Sequence, residues 1–365
     1  MKRTTIVIAL LSGIMTLSTA SAQTSFSIMT LNVDGLPGKL LFFDVNKDGP
    51  LSAGSERISE YIAAKGCDIV AMQECFNYRW EIWSRLFAGY EHDEWTGGIE
   101  NETNDIDYFH LQNHRFPCDG LNNAWKKNVT STAYERVPHK KSFGKFSHDF
   151  DDIITKGFRR HEYTLADGTE IVVYNTHFDA SSERDEKLGN DSLDRAARLS
   201  QWIQLRDHMM ERLDSRPVLL TGDFNSYYHR DSIVAHFIEP IEATGRATVG
   251  DVWIEKCREG VYPLIGDDAD ADEQLDKILY VNPVEGKVLK PVSVEVDAAA
   301  YQYEGKALGD HFPLIANFQV TDRKLNNIDA PEYSKTSETY DLQGRRTERK
   351  TKGVYISDGR KYIAE

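Results

Sequence analysis

At 365 residues the chain has room for one large domain of about 300 ordered residues, provided the architecture is a double sheet. A formal charge of −15 argues against a tight, nonspecific nucleic-acid binder, which would use clustered Lys and Arg. It does not exclude a polyanionic substrate, because a metal ion and a local basic groove can invert the local field.

In chain order, Met1-Lys2-Arg3, an apolar run from Ile6 to Leu17, and Ala20-Ser21-Ala22 have the layout of a signal peptide over residues 1–22, with maturation at Gln23. The apolar run is too short for a comfortable membrane span, and no later segment qualifies. Export is expected, to the extracellular space, the periplasm or the outer cell surface. Loss of Lys2 and Arg3 takes the formal charge from −15 to −17.

Ser25 to Val33 reads as a strand, residues 56–65 as a helix and Asp68 to Met72 as a second strand. Tyr78 to Phe87 spaces Trp80, Trp83 and Phe87 along one helical face. Residues 91–150 are polar and Asn-rich, and read as a loop-heavy substrate region. Ile171–Tyr174, Val218–Leu220, Ile278–Val281 and Leu314–Val320 read as strands, with a long amphipathic helix over Leu193–Leu213. The expected fold class is α/β (α+β): a four-layer sandwich of two packed mixed β-sheets flanked by helices. Residues 23–320 are the expected catalytic domain and 321–337 a linker. Residues 338–365 form a short β-rich C-terminal tail. Residues 341–365 carry seven basic side chains against four acidic ones, a net of +3, and resemble the sorting tails of some exported Gram-negative proteins.

Six polar clusters each follow or end a short apolar run: Leu31-Asn32-Val33, Met72-Gln73-Glu74, Asn175-Thr176-His177-Phe178-Asp179, Thr221-Gly222-Asp223-Phe224-Asn225, Leu275-Asp276-Lys277-Ile278 and Gly309-Asp310-His311-Phe312-Pro313. Singly, such motifs are usually turns or caps. Together they supply carboxylates and a carboxamide for a hard divalent cation, and two imidazoles for proton transfer. Metal-assisted phosphoester hydrolysis needs that combination.

In this order the clusters resemble the endonuclease/exonuclease/phosphatase superfamily, whose best-known member is DNase I, over residues 26–320. The resemblance implies Glu74 as principal Mg2+ ligand, with Asn32 and Asp310 completing the metal site. It implies His311 as general base, oriented by Asp276. Asp223 and Asn225 would position the nucleophile and the scissile phosphate, and His177 would stabilise or protonate the transition-state oxygens. Two positions depart from the family pattern: Gly309 replaces the usual Ser, and Lys277 stands where relatives often carry an aromatic.

Asp119-Gly120-Leu121, Lys156-Gly157-Phe158 and Thr176-His177-Phe178-Asp179-Ala180 resemble the secreted bacterial and neutral sphingomyelinases more than the nucleases. The resemblance implies a Mg2+-dependent enzyme, with Mn2+ or Co2+ able to substitute, that cleaves sphingomyelin to ceramide and phosphocholine; Asp179 and Lys156 are the expected substrate-binding residues. The expected partner is phospholipid at a membrane surface, met by transient peripheral contact through a monomer, with no stable nucleic-acid partner. A secreted DNase I-like endonuclease, or another phosphoesterase of the superfamily, is the alternative.

Smaller features stay open. Trp80, Trp83, Trp95 and Trp253–Val261 are candidates for membrane contact, and Tyr227, Tyr228, Phe178 and Tyr108 for a choline cage. Cys67, Cys75, Cys118 and Cys257 lack metal-ligand spacing, so zinc is not expected, and they leave core thiols and disulfides equally open. Asp44–Gly49 begins like a calcium loop, but Ser55 stands where the bidentate Glu belongs. That segment and the acidic run from Asp267 to Glu273 read as solvated turns.

Overall fold

Every second residue of a strand faces the same way. The first strand, β1 (Thr24–Asn32), therefore sends Phe26 and Ile28 to one side and Met29 and Leu31 to the other. Among the described residues, twelve strands repeat this in two six-stranded sheets. The first holds β1, β2 (Ile69–Gln73), β3 (Tyr90–His92), β4 (Asn122–Lys126), β11 (Lys287–Val296) and β12 (Leu314–Asp322), in the order β11-β12-β1-β2-β4-β3. The second holds β5 (Thr130–Pro138), β6 (Gly157–Thr164), β7 (Glu170–His177), β8 (Val218–Asp223), β9 (Ala247–Asp251) and β10 (Asp276–Pro283), in the order β9-β10-β8-β7-β6-β5. Each sheet carries one parallel pair, β1 with β2 and β7 with β8, between antiparallel neighbours.

The computed structural model describes residues 24–35, 39–40, 43–44, 52–76, 89–93, 109–111, 114–116, 119–143, 154, 156–181, 191–228, 230–262, 274–323, 339–341, 353–357 and 360–364. Residues 1–22, Trp80, Trp83, Phe87, Trp95, Tyr108, Cys118, residues 45–49 and the acidic run 267–273 lie outside these. So does most of the expected linker.

Three apolar clusters make four layers. Helix α1 (Ser52–Lys65) lays Ile58 and Ile62 over Met29, Leu31, Val70 and Met72 on the outside of the first sheet. Helix α2 (Ser192–Glu211) lays Trp202, Leu205 and Met209 over Val172, Tyr174, Val218 and Leu220 on the outside of the second. Between the sheets pack Phe26, Ile28, Ile69, Ile171, Val173, Leu219, Ile278 and Phe318. Burial of each large side chain here contributes on the order of 1.5–3 kcal/mol. The expected four-layer sandwich is the observed fold.

Residues 91–150 are less irregular than their composition predicts. They include β4 and β5, and a further polar strand, β6, follows. The signal was hidden because Asn122, Asn123, Arg159 and His161 are buried polar side chains, so these strands lack an apolar alternation. Strand β12 also runs two residues beyond Val320, to Asp322.

The chain divides into two units, Met1–Asp322 and Arg323–Glu365. The second contains an antiparallel three-stranded sheet of β13 (Thr339–Asp341), β14 (Gly353–Ser357) and β15 (Arg360–Ala364). Cys67 and Cys75 are free, buried thiols and Cys257 is a free, exposed one, so none of these three forms a disulfide. Among the described residues no helix is long and apolar enough to cross a membrane.

Candidate active site

Strand alternation carries inward-facing positions from an apolar middle to a polar end. On β1 they run Ile28, Thr30, Asn32; on β7, Ile171, Val173, Asn175, His177; on β8, Leu219, Thr221, Asp223. Register then aligns the ends. His177 stands opposite Asp223, and Asp223 opposite Asp276 at the start of antiparallel β10. Just before β12 begins, Asp310 and His311 reach the same edge, since Leu314 pairs with Thr30. Gly222 makes the close approach of β7 and β8 possible: its φ is 142°, and a Cβ there would lie 2.0 Å from the Thr176 carbonyl oxygen.

Asp223 is the hub. Its Oδ2 accepts from Asn32 Nδ2 at 3.1 Å and lies 3.5 Å from His177 Nε2 and 3.7 Å from His311 Nε2. Asn32 Nδ2 also donates to Glu74 Oε1 at 3.0 Å, which is 3.9 Å from His177 Nε2. On the other flank, His311 Nδ1 and Asp276 Oδ2 share a hydrogen bond of 2.6 Å. Glu74 and Asn225 both adopt left-handed backbone, with φ of 52° and 47°, as the chain turns off its strand ends. The Asn225 N–H donates to Asp223 Oδ1 at 2.9 Å, and its Nδ2 to the Phe178 carbonyl at 3.1 Å.

Burial drives the electrostatics. It pushes the Glu74 carboxyl up to about 7, aided by the charge of Asp310 and opposed by Asn32 and Lys156. Burial, with Lys156 nearby, pushes His177 well below the usual imidazole range, so that ring is neutral. For His311 burial works the same way but is overcome by the Asp276 and Asp223 carboxylates, which hold its proton well above the usual range. Burial opposes ionisation of Asp223 too, yet His311, His177 and Lys156 keep it below the ordinary carboxylate value.

These residues fit a hard divalent cation, which takes oxygen donors and favours one or two carboxylates. Glu74 is a carboxylate that burial alone would neutralise, and the exposed Asp310 carboxylate acts on it through space. Asn32 turns its amide nitrogen toward Glu74 and Asp223, while its Oδ1 accepts the Asp34 N–H at 3.0 Å. Asp223, Asp276 and His311 also place potential ligand atoms within 4.8 Å of one another. Two of these three residues, Asp276 and His311, are already joined in a 2.6 Å hydrogen bond, which suits proton transfer better than Mg2+ ligation.

Lys156 and Asp179, the expected substrate-binding residues, are both buried, and the Lys156 charge acts on Glu74, His177 and Asp223. The Lys156 ammonium is buried and donates to the Phe178 carbonyl at 2.9 Å, where Asn225 also donates. Asp179 is fully buried; Gln201 Nε2 donates to its Oδ1, and the Phe143 N–H to its Oδ2. The aromatic candidates divide similarly. Phe178 is core, against Trp202 and Phe224. Tyr228 is buried with its hydroxyl on Asp251, under the Lys277 ammonium, and the Arg230 guanidinium covers Tyr227. These three rings do not form an open choline cage. Gln73 and Asn175, inside the quoted motifs but given no role, hydrogen-bond each other between the sheets at 2.7 Å. Their placement one and two residues before Glu74 and His177, on inward-facing positions, was the available signal.

This edge, at the ends of two parallel strand pairs, defines a phosphoesterase of the two-sheet type. The chain belongs to the Endonuclease/Exonuclease/phosphatase family, whose sequence profile matches residues 29–253. Enzymes of that family hydrolyse phosphate esters and typically depend on divalent metal. A sphingomyelinase of Mycobacterium tuberculosis is 27% identical over 177 residues, covering 46% of this chain and 32% of the relative. The match thus spans about a third of the length of that curated relative. Among solved structures, an endonuclease/exonuclease/phosphatase from Bacteroides vulgatus superposes with a TM-score of 0.54 at 18% identity, covering 82% of this chain and all of that one. D. rerio TDP2 carrying 14 humanizing mutations superposes with a TM-score of 0.54 at 16% identity, covering 80% of this chain and 98% of that one. At such identities the structures speak to the fold alone.

Proposed function

We propose that this protein is an exported, Mg2+-dependent sphingomyelin phosphodiesterase that releases phosphocholine and ceramide at a membrane surface, acting as a monomer. The carrying observation is the chain of contacts from Glu74 through Asn32 and Asp223 to His311 and Asp276. The substrate class is supported by the Asp119-Gly120-Leu121 and Lys156-Gly157-Phe158 signposts and by the partial similarity to the mycobacterial sphingomyelinase. Export is supported by the layout of residues 1–22.

Glu74 and Asp310 would hold the cation, with Mn2+ or Co2+ as substitutes, and the Asn32 carboxamide would orient Glu74 through the hydrogen bond from its Nδ2. When bound, it supplies positive charge for the phosphoryl oxygens and weakens the hold of the carboxylates on the His311 proton. Asp276 accepts the Nδ1 proton of His311 and fixes the tautomer, so that Nε2 faces the reacting edge. There Nε2 takes a proton from water as the water oxygen bonds to phosphorus. The bond from phosphorus to the ceramide oxygen breaks, and that oxygen takes a proton from a solvent water as it leaves. His177, neutral by burial, offers an N–H to phosphoryl oxygen without bringing a proton of its own charge state into play. Asp223 and Asn225 orient the water and phosphate from opposite sides of one turn. Phe312, exposed beside His311, supplies an apolar ring for lipid contact.

The deciding experiment supplies purified protein and Mg2+ with sphingomyelin vesicles, phosphatidylcholine vesicles and plasmid DNA in parallel. Phosphocholine release from sphingomyelin alone is expected. Plasmid nicking without lipid turnover would replace this substrate with a nucleic acid.

A further inference from the structure

We propose that Arg159 is a positioning residue for the Glu74 carboxylate, acting from the second sheet through Asp119 and Asp93; this rests on the reading of Glu74 as the principal cation ligand. Arg159 lies on β6 and is 0% exposed. Its Nε and Nη2 donate to Asp119 Oδ2 and Oδ1 at 3.0 and 2.9 Å, and its Nη1 to Asp93 Oδ2 at 2.9 Å. A planar guanidinium gripping two carboxylates fixes direction as well as distance.

Two routes lead from this grip to either side of Glu74. In the first, Asp119 is also held by Arg136 Nε at 2.7 Å and accepts the Leu121 N–H at 3.1 Å, which sets the turn at Gly120. The Gly120 carbonyl accepts the Cys75 N–H at 2.8 Å, one residue past Glu74. Only glycine suits that turn: its φ is 66°, and a Cβ would lie 2.5 Å from the Phe76 ring. In the second, Asp93 Oδ1 accepts from Asn122 Nδ2 at 2.8 Å and from the Asn123 N–H at 3.0 Å. Asn123 Oδ1 accepts from Asn175 Nδ2 at 2.8 Å, and Asn175 Oδ1 from Gln73 Nε2 at 2.7 Å, one residue before Glu74. Glu74 itself sits at φ 52°, a conformation that persists where its surroundings over-determine it.

Stability alone explains this arrangement poorly, because a buried ion pair is often no more stabilising than apolar packing of the same volume. Geometry explains it better. Groups that orient a metal ligand typically govern about 10–100-fold in metal affinity.

The test measures Mn2+ binding to the full chain, without substrate, by the electron paramagnetic resonance signal of free Mn2+, with folding checked by near-UV circular dichroism. Asp119→Asn keeps the volume and an acceptor for Leu121, and Arg159→Lys keeps the charge but not the fork. Both are expected to raise the Mn2+ dissociation constant about 10–100-fold. At saturating Mn2+ the turnover number should recover to within about threefold of wild type, a split in metal dependence against kcat. A folded Asp119→Asn that binds Mn2+ like wild type, with only a lower denaturation midpoint, overturns the proposal. Should Asp119→Asn not fold, Arg136→Met on the edge strand β5 removes one grip, and wild-type Mn2+ affinity there overturns it equally. Glu74→Gln separates the two ideas: if it binds Mn2+ unchanged, the ligand assignment fails, whatever Arg159 does.

Discussion

Asn32 Nδ2 donates to Asp223 Oδ2 at 3.1 Å, joining the end of β1 to the end of β8 across 191 positions of chain. The same nitrogen also serves Glu74, so one carboxamide ties the proposed cation ligand of one sheet to the hub of the other. Asn32→Ala leaves the buried Asp223 and the half-buried Glu74 carboxylates without their shared donor, at about 1–3 kcal/mol. Hydrolysis of a chromogenic phosphodiester is expected to fall about 10²-fold, the usual order for removing one well-placed donor. Wild-type turnover in that variant would show the bridge to be dispensable.

His311 and Asp276 act as a pair. His311→Ala is expected to lower turnover about 10²–10⁴-fold, the usual worth of a general base. Because Asp276 and Asp223 raise the imidazole against burial, Asp276→Asn should lower its proton affinity. The rising limb of the pH–rate profile then shifts to lower pH, although the maximal rate drops. A profile unchanged in position would contradict this pairing.

Glu74 makes cation binding pH-dependent. Burial raises its folded carboxyl to about 7, with Asp310 adding to the rise and Asn32 and Lys156 opposing it. A cation needs the ionised form, so Mn2+ affinity should weaken by about tenfold per pH unit below that value. The metal-free protein shows the reverse sign in stability: the contribution of Glu74 is complete below the unfolded value near 4.5 and is lost as pH rises through about 7. Titration of Mn2+ at pH 5.5, 6.5 and 7.5 checks the first effect. Replacing Glu74 by Ala should raise the Mg2+ requirement sharply, while His311→Ala should leave it unchanged.

Asp93 contributes acid sensitivity away from the reacting edge. Burial resists its ionisation, but Arg159 and His161 hold its carboxyl down at about 2. Its stabilisation is therefore complete above the unfolded value near 3.9 and is lost as pH falls through about 2, amounting to roughly 2 kcal/mol. Asp93→Asn should be less stable at neutral pH, because it strands part of the Arg159 charge, and its unfolding free energy in urea should vary less between pH 4 and 2. Parallel acid dependence in the two proteins would place the sensitive group elsewhere.

Much of the site is legible in the sequence. The motifs around Asn32, Glu74, His177, Asp223, Asp276 and His311 end strands whose period-2 alternation is a local property, and alternation alone puts Asn32, His177 and Asp223 on inward faces. Strands β4, β5 and β6 were not legible, since Asn122, Asn123 and Arg159 bury polar atoms that only distant partners satisfy. The same holds for Lys156 and Asp179, whose motif positions are plain but whose ammonium and carboxylate turn inward onto Phe178 and Gln201.

The local pattern of residues sets which donor groups stand at which strand ends and which way each points, because side-chain direction follows from the backbone next door. The long-range packing sets the rest: the two sheets meet with those ends at one edge, Asp223 becomes their common neighbour, and a guanidinium from β6 grips both Asp119 and Asp93. Sheet pairing and interlayer packing depend on residues far apart in the chain, and no local pattern encodes their meeting.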